Sequence, residues 1–101
     1  DYIYIEDFCR ILFILINMNY KNEIVNIGSG SVYSLNDIVE TIHKQLPSFG
    51  WEYTCCHQSD VVDFTLDISK LLSIIGDVRF VALAEGISKT LAWHKDNKFV
   101  L

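Results

Sequence analysis

The sequence predicts an α/β chain of about three short strands and four helices, and three observations carry that expectation. Residues 23–27 gather the β-branched Ile24, Val25 and Ile27 around a single Asn26, the pattern of a short buried strand. Gly28-Ser29-Gly30 stops that strand, since glycine enters positive φ freely and leaves room for a close backbone turn. Ser34 then stands as an N-cap with Asp37 three residues on, close to a capping box, and Leu35, Ile38, Val39, Ile42 and Leu46 follow along one helical stripe.

The other elements fall around this strand, turn and helix. Tyr2, Ile3, Tyr4 and Ile5 are strand-like, and Glu6 and Asp7 place two carboxylates where a helix N-terminus favours them. From Phe8 to Met18 the chain is apolar on almost every side, with Arg10 its only charge, until Asn17, Asn19, Tyr20, Lys21 and Asn22 end the helix in a polar turn. A helix apolar all round has to be covered all round. This one therefore calls for the rest of a larger domain or for a partner chain. Pro47 closes the second helix and Ser48-Phe49-Gly50 forms a turn. Residues 51–57 alternate, with Trp51, Tyr53, Cys55 and His57 on one face and Glu52, Thr54 and Cys56 on the other, as in a half-buried strand. Residues 58–64 read as a polar, acidic loop. Asp67 caps a short helix with Leu71, Leu72 and Ile75 inward and Gly76 at its left-handed end. After a connector over residues 77–82, Leu83, Ile87 and Leu91, with Trp93 beside them, mark a final helix and a polar tail.

Bulk properties narrow the class. A chain of 101 residues is one domain, small for an α/β enzyme, and with half its residues hydrophobic and 21% charged it is globular. A net charge of −5 argues against nucleic acid, which wants clustered Lys and Arg. Three Cys without regular spacing read as buried thiols of a reducing compartment. With no basic, apolar leader and no apolar run near the roughly 20 residues a bilayer demands, the expected location is cytoplasmic, away from membranes. The absence of an initial Met points to a fragment, a processed product or a trimmed chain.

Few residues carry chemistry. Gly28-x-Gly30 sits where a dinucleotide-binding turn would, but the third glycine is replaced by Tyr33, so a turn without phosphate is the better reading. Cys55-Cys56-His57 makes a poor metal site, because neighbours in a strand point to opposite faces and no second ligand pair exists. His43, His57 and His94 lack a nucleophile at fixed spacing; His57, at a strand end, is the best placed of the three. Asp60, Asp63 and Asp67 read as a solvated loop and a helix cap, without the ligand loop of a divalent-metal site.

Five short motifs, in order and near the right spacing, carry a resemblance that covers nearly the whole chain. They are residues 1–7 (Asp-Tyr-Ile-Tyr-Ile-Glu-Asp), residues 26–30 (Asn-Ile-Gly-Ser-Gly), Ser34-Leu35-Asn36-Asp37, Asp67-Ile68-Ser69-Lys70 with Ile75-Gly76, and Leu83-Ala84-Glu85-Gly86-Ile87 with Thr90 and Trp93. Together they resemble the second half of the NAD-dependent epimerase/dehydratase family, the extended short-chain dehydrogenase/reductases that include UDP-glucose 4-epimerase. The resemblance implies the C-terminal, substrate-side portion of a Rossmann-type fold over residues 1–101, with the N-terminal dinucleotide-binding half absent. It implies that the first helix packs against that absent half. It also implies that no cofactor is bound by this chain alone, NAD(P) being held by the longer parent.

The family's catalytic Tyr-x-x-x-Lys does not occur. The residues four after Tyr2, Tyr4, Tyr20, Tyr33 and Tyr53 are Glu6, Phe8, Ile24, Asp37 and His57. No catalytic residue is therefore expected, and the chain by itself should not transfer hydride. By the resemblance, His57-Gln58-Ser59-Asp60 falls on the family's Arg-x-Gly-Asp, which grips the pyrophosphate and ribose of a nucleotide sugar. Asp60 matches, and His57 replaces the arginine, so the bidentate phosphate grip is lost. The Trp that follows the family's Leu-Gly pair and the nearby Pro are also replaced, by Asp77 and Arg79. The expected substrate-binding residues are thus Asp60 and His57, on a nucleotide-sugar-like substrate. Two alternatives stand beside this reading. One is a fragment of a related reductase acting on a non-nucleotide substrate. The other is a stand-alone interaction domain that dimerises through the apolar first helix, whose exposure predicts self-association of the isolated chain.

Overall fold

The computed structural model describes residues 1–60 and 64–97 and holds four helices in chain order, α1 (Ile5–Asn17), α2 (Leu35–Gln45), α3 (Ser69–Ile75) and α4 (Leu83–Asp96). Among the described residues there is no strand. The α/β expectation with three short strands is therefore corrected. The four helices form close to where their sequence signals put them, whereas residues 2–5, 23–27 and 51–57 form no ladder.

The reason is physical. A strand needs a second one to take up its main-chain N–H and C=O groups, and that pairing is not encoded in the local pattern. Here the three segments do not pair with one another. Ile5 is instead the first residue of α1. Around residues 23–27 the partners are side chains: Lys70 donates to the Ile24 carbonyl at 2.9 Å, and Asn26 donates to that of Asp67 at 3.1 Å. The alternation of a strand survives without its ladder. Val25 and Ile27 are half-buried while Asn26 and Ile24 are exposed, so the expectation that all three β-branched residues are buried fails at Ile24.

The chain divides into two units. The first comprises Asp1–Val32 and Phe64–Val81, with α1 and α3. Its centre holds Ile11 of α1 and Leu71 of α3, the fully buried apolar side chains among the described residues. Asp7, also buried, accepts from the Val81 N–H at 2.8 Å and from Arg10 at 2.9 Å, and Arg10 donates in turn to the Arg79 carbonyl at 2.9 Å. This ties α1 to the connector after α3. On the far side of α1, Ile5, Cys9, Leu12, Phe13 and Ile16 share one helical face and are all exposed, Phe13 and Ile16 by 67% each. Asn19 and Asn22 then take φ of 55° and 58°, which short amide side chains tolerate, and turn the chain away. Gly76 ends α3 at φ 77° and ψ −166°, a positive φ as expected but outside the left-handed helical basin.

The second unit comprises Tyr33–Asp63 and Ala82–Leu101, of which residues 33–60 and 82–97 are described, with α2 and α4. The capping box is complete. The Ser34 hydroxyl accepts from the Asp37 N–H at 3.1 Å, and the Asp37 carboxylate accepts from the Ser34 N–H at 2.8 Å. α2 packs on α4, with Gln45 donating to the Ala84 carbonyl at 2.8 Å and Gly86 buried. Ile38, Val39 and Ile42 of α2, and Leu83, Ile87 and Leu91 of α4, are half-buried.

Candidate functional site

The two expected substrate residues lie in one tight, exposed turn of the second unit. The Asp60 N–H donates to the His57 carbonyl at 3.0 Å, and the His57 N–H donates back to Asp60 Oδ2 at 2.7 Å. The carboxylate thus reaches back to close its own turn over Gln58 and Ser59. The structure brings Asp60 and His57 together through main chain, not through the imidazole. Asp63 lies outside the described residues, as does part of the acidic loop expected over residues 58–64.

The glycine turn answers a chemical question. In a dinucleotide-binding turn, successive amides face a pyrophosphate. Here they face a carboxylate of the same chain. Asp1 Oδ1 accepts from the Ser29 N–H at 3.0 Å and the Ser29 hydroxyl at 2.8 Å, and Oδ2 accepts from the Gly30 N–H at 3.1 Å. Gly28 allows the approach, since a Cβ there would stand 2.7 Å from Leu66 Cδ2 and 2.9 Å from Asp1 Oδ2. Gly30 adopts φ +70°. At this turn the amides that a pyrophosphate would need are taken up by the chain's own carboxylate.

The remaining polar clusters are anchors. Asp67 precedes the N-cap Ile68 of α3 by one residue and accepts from the Ser69 N–H at 2.9 Å and hydroxyl at 2.6 Å, so its capping is offset from the expected position. Those bonds, the hydroxyl's first, hold its carboxyl below the ordinary value of 3.8. The Ser34 bonds, its backbone N–H first, do the same for Asp37. Lys70 pairs with Glu23 at 2.6 Å, and that hydrogen bond raises the ammonium above its ordinary 10.5.

Along α2, residues 49–53 lay down aromatic side chains. The His43 ring sits edge-on to Trp51 with centroids 5.6 Å apart, and Phe49 stacks on Trp51 at 6.1 Å. His43 Nδ1 lies 2.9 Å from the Phe49 carbonyl, which only accepts, so that nitrogen carries the proton. The Tyr53 hydroxyl donates to Asn36 at 3.3 Å. Trp51 and Tyr53 both reach α2, but residues 51–57 are all exposed, so the half-buried face expected of their alternation does not form.

The cysteines depart from expectation. Cys9, Cys55 and Cys56 are free but exposed, not buried. Cys9 falls on the uncovered face of α1, and the strand that would have half-buried Cys55 is not formed. No group of three or more His, Cys, Asp or Glu side chains among the described residues is arranged to hold a metal ion. No helix among the described residues is long and apolar enough to cross a membrane.

Sequence comparison supplies what the geometry does not. The chain is 34% identical over 98 residues to a Methanocaldococcus jannaschii protein provisionally named UDP-glucose 4-epimerase, covering 96% of the chain and 31% of that protein. It is 31% identical over 100 residues to the UDP-glucuronate 4-epimerase of Thermodesulfobacterium geofontis (96% and 30%). With the dTDP-glucose 4,6-dehydratase of Escherichia coli it shares 27% over 111 residues (97% and 31%). The chain matches the C-terminal part of epimerase/dehydratase enzymes. The resemblance carried by the five motifs is thereby shown. The chain spans less than a third of the length of these relatives. No protein-family model and no solved structure matches it.

Sequence reasoning missed two carboxylates. Asp1 holds the glycine turn from 28 residues away, and Asp7 reaches Val81 from 74 residues away. Neither pairing leaves a local pattern; the nearest signal is an acidic residue close to an otherwise apolar segment.

Proposed function

We propose that this chain is the substrate-side, C-terminal part of an NAD(P)-dependent nucleotide-sugar epimerase or dehydratase and transfers no hydride by itself. The observation that carries the reading is the match over 96–97% of the chain to the C-terminal part of enzymes named for UDP- and dTDP-sugars. The sequence supports the second clause, since no Tyr is followed by Lys four residues on. In this reading the dinucleotide belongs to the remaining part of the parent enzyme, which is also this chain's packing partner. Asp60 holds a sugar or ribose hydroxyl of the substrate through the carboxylate oxygen not used by the His57 N–H, and His57 supplies a ring nitrogen in the place of a phosphate-gripping arginine. Three free, exposed thiols suit a reducing compartment, and we place the protein in the cytoplasm.

A chimera tests this reading. This chain replaces the matching C-terminal part of the T. geofontis UDP-glucuronate 4-epimerase, and conversion of UDP-glucuronate is followed with NAD⁺ present. The expected result is a folded, NAD⁺-loaded enzyme with measurable turnover, in which Asp60→Ala raises KM about tenfold, as loss of one charge-assisted hydrogen bond to substrate implies. A folded, NAD⁺-loaded chimera that converts nothing, or one whose KM ignores Asp60→Ala, would overturn it.

A further inference from the structure

We draw no further inference here: the strongest candidate, the uncovered apolar face that Ile5, Cys9, Leu12, Phe13 and Ile16 form on α1, carries nothing because nothing in the structure shows what covers it.

Discussion

Replacing Asp7 by Ala should measurably destabilise this chain. Asp7 is 4% exposed and its two carboxylate oxygens are divided between the Val81 N–H and the Arg10 guanidinium. Truncation leaves that amide without its acceptor, and a hydrogen bond to a charged group is worth about 1.5–3 kcal/mol. The Arg10 pair adds less. Its guanidinium side is 48% exposed, where water screens the charge, so roughly 0.2–1 kcal/mol is its share. The sum is about 2–4 kcal/mol, against a usual total of roughly 5–15 kcal/mol for a domain of this size. Urea titration followed by far-ultraviolet circular dichroism reads it as a lower midpoint at an unchanged slope. Asp7→Asn keeps an oxygen for Val81 and should lose only about 1 kcal/mol, and Arg10→Met should lose no more than that. If Asp7→Ala and Arg10→Met lowered stability equally, the bond to Val81 would not be what makes Asp7 matter, and the reasoning would fail.

Three further expectations follow from the same geometry. Gly30→Ala forces a Cβ to within 2.9 Å of Ile68 Cδ1 at φ +70° and should destabilise by about 1–2 kcal/mol, whereas Gly50→Ala, with nothing within 4 Å, should be neutral or mildly stabilising; thermal melts of the two variants compare them directly. Ser34→Ala removes the cap of α2 and should cost about 1 kcal/mol. In the unsubstituted chain, the Asp37 carboxyl, held below 3.8 by Ser34, stabilises the folded state at every pH above that ordinary value and loses this contribution as acid protonates it; a melting temperature flat from pH 7 down to about 4 and falling below it is expected there, and a weaker fall in Ser34→Ala. Phe13→Glu should abolish much of any binding of an apolar fluorescent dye without loss of helix signal, because Phe13 is 67% exposed; a variant that loses its helix signal instead would place Phe13 in the core.

What was legible in the sequence was what closes within a few residues. The α2 cap needs only Ser34 and Asp37, and Pro47 follows the last residue of that helix by two. The Asn-rich stop of α1 is equally local: a single amide side chain tolerates the positive φ at Asn19 and Asn22. The strand-like patterns describe only one partner of a pair. Trp51 and Tyr53 meet His43 and Asn36 of a helix and not a neighbouring strand, and both stay exposed. The candidate site was legible only through family resemblance. His57 and Asp60 were found by position, while the closure of their turn by the Asp60 carboxylate belongs to local geometry that a motif does not state.

The side-chain tethers on residues 23–27 bear on solubility. A β-branched segment with open main chain is a template on which a stray strand can grow. Lys70 lays an ammonium on the carbonyl of Ile24 and a salt bridge on Glu23, while Asn26 is held to the main chain at Asp67. A charge seated on one carbonyl interrupts the row of acceptors that an incoming strand must match in register. Lys70 thereby occupies an acceptor that such an incoming strand would need.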